Sequence, residues 1–316
     1  MVVVAITGVS GFLGSQLLAR LDTEKSVDRI IGFDIKPACT TSEKLKFFHM
    51  DVRDPSLGSV LKKENVDIVV HLAFVLYTIR DNKKWKDIDV NGSRNVVSAI
   101  KNSSARKVIL ASSTSVYGVH RDNPNPIFES QPLNPNPDNL YAVHKKEVED
   151  IFLKFSSEHQ DITVTILRPC MILGPHMDNL VCQLALKLPK IITVKNHNPL
   201  LQFAHEDDVA EAFIFAIKND VPGIFNLVSK GTITMEEFCE LYNKRHVQLS
   251  FNLLYKLHSI LWALRFPYVT FPPGWLHFLR YSCIVSGEKF ENEYSFLPSF
   301  STEDALKSYI EARVKK

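Results

Sequence analysis

The sequence predicts an α/β protein built on a doubly wound parallel sheet, with a smaller C-terminal α/β lobe. Three observations predict it. Over the first two-thirds of the 316 residues, short β-branched runs alternate with longer stretches at helical periodicity. Several of those runs are apolar nearly throughout, as strands covered by helices on both faces must be. Three of the chain's 12 glycines fall within seven positions just after the first apolar run, where such a sheet makes its tightest turn.

The expected strands are Val2 to Thr7, Arg29 to Asp34, Leu45 to Met50, Asp67 to His71, Lys107 to Ser112 and Ile162 to Arg168. Between them the periodicity predicts helices over Phe12 to Leu21, Ser56 to Glu64, Lys83 to Lys101 and Asn139 to Ser157. The apolar start, Val2 to Ile6, runs straight into a glycine turn and so reads as a strand, not a secretory signal. Asp122 to Pro137 holds five prolines and no periodicity, a loop suited to walling a substrate pocket. After Pro169 the alternation weakens, with strands expected at Ile191 to Val194 and Gly223 to Val228 and helices at Glu206 to Ile217 and Thr234 to Lys244. From Leu253 onward, Leu254, Leu257, Ile260, Leu261 and Leu264 repeat at helical spacing beside Lys256 and His258. That segment is too short to span a bilayer, and a buried helix face is preferred over a membrane-surface helix. Phe271 to Trp275 then breaks the chain before another apolar stretch, Leu276 to Val285. The expected division is a first domain over 1–170 and a second, substrate-binding lobe over 171–316, with some segments returning to the first sheet.

A net charge of +2, with basic residues dispersed, predicts no nucleic-acid partner. Cys39, Cys170, Cys182, Cys239 and Cys283 are odd in number and form no C-x-x-C pair. They read as reduced thiols of a cytoplasmic protein, with neither a disulfide framework nor a metal site.

Thr7-Gly8-Val9-Ser10-Gly11-Phe12-Leu13-Gly14 joins the first strand to the first helix. Gly8 permits a sharp turn, Gly11 lets the backbone approach a pyrophosphate, Gly14 allows close helix–strand packing, and the helix N-terminus faces the anion. Asp34 ends the second strand, placed to accept hydrogen bonds from adenosine ribose hydroxyls, and its charge repels a 2′-phosphate. The expected cofactor is NAD rather than NADP, although Lys36 blunts the preference. The sheet is then of Rossmann type.

Tyr141 and Lys145 stand four apart, on one face of a helix. A nearby cation favours the phenolate of a tyrosine whose unperturbed pKa is about 10. Ala111 to Gly118 places hydroxyls at the C-terminal end of a strand, the edge where open α/β sheets bind ligands.

Together these motifs resemble the extended short-chain dehydrogenase/reductase family, which includes nucleotide-sugar 4-epimerases and dehydratases. Thr7 to Gly14 matches its TGxxGxxG pattern and Tyr141 to Lys145 its YxxxK. The family's catalytic hydroxyl, four positions before Tyr117, falls on Ser113. Asp51-Val52-Arg53-Asp54 resembles the adenine-contacting segment, and His71-Leu72-Ala73 the strand under the cofactor. Val90-Asn91-Gly92 resembles the helix with the structural asparagine. Leu167-Arg168-Pro169, of which Pro169 is counted with the cofactor site, Leu173-Gly174-Pro175 and Phe203 to Ala210 match later landmarks. The resemblance covers about residues 1 to 245 and returns faintly at Tyr294 to Ala305.

The resemblance implies hydride transfer at a carbinol carbon, with Tyr141 as base, Lys145 lowering its pKa, Ser113 on the substrate oxygen, and Asn91 holding site backbone or a relay water. Thr114 and Ser115 replace the acidic pair of the dehydratases, which favours epimerisation. Leu201, followed by Gln202, stands where nucleotide-sugar epimerases usually carry a diphosphate-binding arginine; Lys187, Lys190 and Lys195 are expected to be solvated. Trp262, Phe266, Tyr268, Phe271, Trp275, Phe278 and Tyr281 are expected as core, with a pocket for a lipophilic alcohol as the competing reading. A non-catalytic NAD-binding sensor is a third. The family also implies a homodimer through the helices Lys83 to Lys101 and Asn139 to Ser157, with Ile88, Val96 and Val97 apolar there.

Overall fold

The computed structural model describes residues 1–38, 42–76, 79–178, 182, 186–267, 269 and 271–314. Cys39 and Tyr268 lie outside them. The sheet is formed by β1 (Val2–Thr7), β2 (Val27–Asp34), β3 (Leu45–His49), β4 (Ile68–His71), β5 (Lys107–Ala111), β6 (Thr163–Pro169) and β7 (Gly223–Leu227). Its order is β7-β6-β5-β4-β1-β2-β3. β1 pairs in parallel with both β2 and β4, so the strand order reverses there and leaves a crevice at the strands' C-terminal ends.

The apolar runs become strands because both faces are covered. Val4, Ala5 and Ile6 are wholly buried at successive positions, which alternate between the two sides of the sheet. On one side Val3, Ala5, Ile31, Val69 and Val108 share a core with α2 (Leu57–Lys63), α4 (Gly92–Lys101) and α5 (Leu140–Glu158). Val96 and Ile100 from α4, and Val148, Phe152 and Phe155 from α5, are the helical contributions. Each such side chain is worth roughly 1.5–3 kcal/mol of burial. α1 (Phe12–Thr23) buries Leu17, Leu18 and Leu21.

The expected helix from Lys83 to Lys101 forms with an interruption. α3 (Asn82–Lys86) is capped by the Asp81 carboxylate, then a π-helical turn over Asp87–Asn91 leads into α4. An i→i+5 turn inserts one extra residue and rotates the face that follows.

The chain divides into two interleaved units. One unit is Met1–Ser112, His144–Arg168 and Ala210–Phe225; the other is Ser113–Val143, Pro169–Val209 and Asn226–Lys316. A parallel sheet gains each further strand by a crossover, so chain order and unit membership separate.

Within the second unit, Met171–Leu173 pairs in parallel with Phe203–His205, the strand that leads into α6 (Glu206–Lys218). Thr234 and Glu237 form a capping box at the start of α7 (Met235–Leu241). α7 stops three residues short of the expected Lys244, because Asn243 turns left-handed with φ 50°. His246–Leu249 then forms a strand on Ile191–Val194 that the sequence did not predict.

α8 (Phe251–Ala263) corrects the expectation of a buried helix face. Leu254 is its buried residue, whereas Leu253, Leu257, Ile260 and Leu264 are 56%, 49%, 57% and 73% exposed. The aromatic residues expected as core are also less buried. Trp262, Phe271, Trp275, Phe278 and Tyr281 are half-buried and Phe266 is exposed. Cys170, Cys182 and Cys239 are buried free thiols, and Cys283 is half-buried. Among the described residues no helix is long and apolar enough to cross a membrane.

Candidate active site

Gly8 takes φ +76°, and a Cβ there would stand 2.7 Å from the Ala73 nitrogen. Only glycine lets the turn after β1 pass so close to the Leu72–Ala73 backbone. A Cβ on Gly14 would meet the Gly8 carbonyl oxygen at 2.4 Å, so the first turn of α1 is pressed onto the loop. Gly11 is the helix's N-cap and brings no side-chain cap, so a pyrophosphate can approach the N-terminal N–H groups over Gly11, Phe12 and Leu13. A cradle that any side chain would fill fits a dinucleotide.

Asp34, at the end of β2, is fixed by two backbone donors. Ser10 N–H donates to Oδ2 and Lys36 N–H to Oδ1, each at 3.0 Å. Its remaining lone pairs suit ribose hydroxyls. The Lys36 backbone makes this contact and the residue is exposed. Asp51 is less available than expected, since Arg53 grips it at 2.6 and 2.9 Å while also reaching Asp87 at 2.7 Å. Hydrogen bonding from Arg53 holds the Asp51 carboxyl below the usual carboxylate range. Val52 is buried, and its carbonyl accepts from the Asn95 amide, which also binds the Asp54 carbonyl. Asn95 therefore pins this loop, a role the sequence reading missed.

Behind the cradle runs a buried polar chain. Ser93 donates to the Asp89 carbonyl, so its oxygen accepts from His71 Nε2–H at 2.9 Å. His71 Nδ1 then accepts from the Thr7 hydroxyl at 2.7 Å, and Thr7 accepts from Ala73 N–H. This assigns the Nε2–H tautomer from the network. Burial, helped by the nearby Lys145 charge, pushes His71 down to about 3, so it stays neutral at physiological pH.

Asn91 is corrected by the structure. It is exposed, donating to Asp87 and accepting from Arg94 along the helix surface. The inward residue is Asp89, wholly buried, which accepts from Val75 N–H at 3.0 Å and pairs with His144 Nδ1 at 3.0 Å. A sequence signal existed. Asp89, Ser93, Val96 and Ile100 recur at i, i+4, i+7 and i+11, and all four are buried.

Lys145 lies on α5, one turn after Tyr141. It is 4% exposed, donates to the Ala111 carbonyl at 2.6 Å and sits 3.7 Å from the Phe74 ring centroid. Burial lowers it to about 8, with the Asp89 and Glu149 carboxylates opposing. Glu149, a turn further on, is wholly buried in a two-pronged pair with Arg168, at 2.9 and 2.5 Å, and also accepts from Ser112. Ser112 is thereby committed to structure. Ser113 instead caps a short 3₁₀ turn, Thr114–Tyr117, its oxygen accepting from Ser115 N–H at 3.2 Å. The Tyr117 phenol donates to Asn226. Tyr141 is buried, its ring 5.8 Å from that of Trp275. Lys145 belongs to the first unit, Ser113 and Tyr141 to the second.

Pro169 is buried at the end of β6. Leu201 is half-buried and pairs with Ile233, while the Gln202 amide reads both backbone groups of Val285. Lys187, Lys190 and Lys195 are exposed. The second unit also holds a cavity of about 430 Å³ that Asn125, Gln202, Asn226, Lys230 and Glu288 help to line; none of the predicted catalytic residues lines it.

The NAD dependent epimerase/dehydratase family model matches residues 4–227. An uncharacterized protein of Mycobacterium tuberculosis is 26% identical, with 98% of this chain and 84% of that one covered. The human dTDP-D-glucose 4,6-dehydratase is 28% identical over 71% of this chain and 68% of its own. Among solved structures, MoeE5 in complex with UDP-glucuronic acid and NAD covers 99% of both chains with a TM-score of 0.77 at 20% identity, a likeness of fold. Both the expected Rossmann-type α/β fold and the resemblance read from the motifs are found. The chain belongs to the NAD dependent epimerase/dehydratase family, a family of enzymes, with NAD as its cofactor.

Proposed function

We propose that the chain inverts a carbinol centre of a nucleotide sugar, with Tyr141, Lys145 and Ser113 as the reacting set. The observation that carries this is Lys145, a buried ammonium one helical turn from Tyr141, anchored on the Ala111 carbonyl at the end of β5. When bound, NAD supplies a reversible two-electron oxidation at the carbinol carbon. Tyr141, as phenolate, accepts the hydroxyl proton and later returns it. Lys145, still largely protonated at pH 7, favours that phenolate. Ser113 holds the substrate oxygen. Base catalysis of this kind is worth roughly 10²–10⁴-fold. Asp89 acts behind the set by holding the Val75 backbone, and Ser93 and His71 carry the network on to the Thr7 hydroxyl.

Epimerisation is favoured over elimination because Thr114 and Ser115 are buried hydroxyls where a leaving hydroxyl would need an acid. The nucleotide-sugar class is supported by solved relatives of the same fold, including the UDP-glucose 4-epimerase of Thermotoga maritima and the UDP-glucuronic acid 4-epimerase of Bacillus cereus. The same reading makes the protein a cytoplasmic homodimer through α4 and α5, on which Leu153 is exposed; Val96 lies in the core and Val97 packs against it.

The test is to incubate the purified protein with UDP-glucose or UDP-glucuronic acid and separate the C4 epimers chromatographically. Interconversion without net NADH is expected. Stoichiometric NADH would convert the reading to a dehydrogenase, and no turnover of either sugar would remove the proposed substrates.

A further inference from the structure

α8 presents three faces. Leu254 turns inward onto Val194 and Leu276, with Phe251 and Tyr255 packed around it. Asn252, Lys256 and Ala263 mark an exposed polar and small-residue face. Leu253, Leu257, Ile260 and Leu264 form a third stripe at i, i+4, i+7 and i+11, each about half exposed or more. Phe266, just beyond the helix, is 45% exposed as well. Isolated surface leucines need no explanation, but a contiguous stripe is a contact surface.

The charge around it says which contact. From Leu241 to Gly287 the chain has no aspartate or glutamate, but has Lys244, Arg245, Lys256, Arg265 and Arg280. Lys256 lies on the helix beside the stripe, Arg265 just past its end, and both are exposed. A helix with an apolar face, flanking cations and no acidic residue suits the interface of an anionic bilayer, with leucines at the acyl boundary and cations among headgroups. A protein partner would have to match the same acid-free stretch with its own acidic rim, and nothing in the stripe's uniformly aliphatic side chains selects one.

We propose that α8 docks the protein peripherally on an anionic lipid surface, with Leu253, Leu257, Ile260 and Leu264 inserted and Lys256 and Arg265 at the headgroups. The docking does not depend on the reaction assigned above, and it needs no membrane-spanning segment.

Flotation of the full chain with vesicles tests it. Vesicles of phosphatidylglycerol and phosphatidylcholine in equal parts should capture the protein, pure phosphatidylcholine vesicles should capture much less, and high salt should weaken capture. L257E combined with I260E should lower partitioning by about tenfold or more, since two apolar insertions are lost. K256E combined with R265E should reduce it on anionic vesicles alone. Because these positions are exposed, unchanged circular dichroism and thermal midpoints are expected in both variants. No capture by anionic vesicles would overturn the proposal. So would equal capture of the apolar double variant, or a wild-type dimer that this variant turns into monomers, which would give the stripe to a second copy of the chain.

Discussion

Lys145→Met separates what the lysine does for folding from what it does for chemistry. The ammonium ordinarily holds its proton to pH 10.5, but burial brings it to about 8. At ~1.4 kcal/mol per pH unit, the protonated lysine therefore costs the folded state about 3 kcal/mol at pH 7. The sign follows from proton counts. Between 8 and 10.5 the unfolded chain holds more protons than the folded one, so wild-type stability rises with pH across that window. Below it the penalty is fully present, and above it the penalty has gone. Methionine fills similar volume without charge but leaves the Ala111 carbonyl without its donor, a loss of about 1–3 kcal/mol. The variant should thus be equally or slightly more stable than wild type at pH 7. Its advantage should shrink by about 3 kcal/mol as pH approaches 10.5. Urea unfolding followed by tryptophan fluorescence at several pH values measures both curves. Turnover should meanwhile fall by roughly 10²-fold or more, as the phenolate loses its cation. Parallel pH dependences in the two proteins would refute the reasoning, because they would mean the amine is not desolvated.

Four further substitutions probe the cofactor side and the helix that carries Asp89 and Asn91. Gly14→Ala places a Cβ 2.4 Å from the Gly8 carbonyl oxygen, so the thermal shift produced by NAD should be abolished while the β1–β2 pairing still forms. Asp34→Ala removes the carboxylate held by Ser10 and Lys36 and should lower the NAD-over-NADP preference about tenfold or more in titration calorimetry. Asn91→Ala should leave turnover within about twofold of wild type, since surface polar changes are worth about ±0.5 kcal/mol. Asp89→Ala, which strands Val75 N–H and His144 in a buried site, should destabilise by roughly 2–4 kcal/mol in denaturant unfolding.

The sheet was legible because β1, β4 and β5 are apolar nearly end to end, a pattern that a parallel sheet covered on both faces imposes on every central strand. The glycine cradle was legible for a related reason, in that Gly8 and Gly14 answer to backbone approaches that no other residue survives. Asn91 was chosen from the likeness of Val90-Asn91-Gly92 to a family segment rather than from helical spacing, and its side chain lies on the exposed surface of the helix. The spacing of Asp89 with Ser93, Val96 and Ile100 held the correct answer, but a carboxylate on a buried face runs against the usual expectation. Glu149 and Arg168 were equally hidden, since a buried pair 19 residues apart in sequence becomes visible only once α5 packs on β6. In the second unit, periodicity found α8 but not its environment, because burial depends on what other segments cover. The strand His246–Leu249 was missed because it is largely exposed and so shows no apolar run.

On the proposed mechanism, Tyr141 exchanges the substrate proton in a site that binds NAD independently of it. Tyr141→Phe tests this when C4-epimer interconversion and NAD bound per chain are measured on the same preparation. Turnover should fall by about 10²-fold or more with cofactor occupancy unchanged. Wild-type turnover in the phenylalanine variant would contradict it.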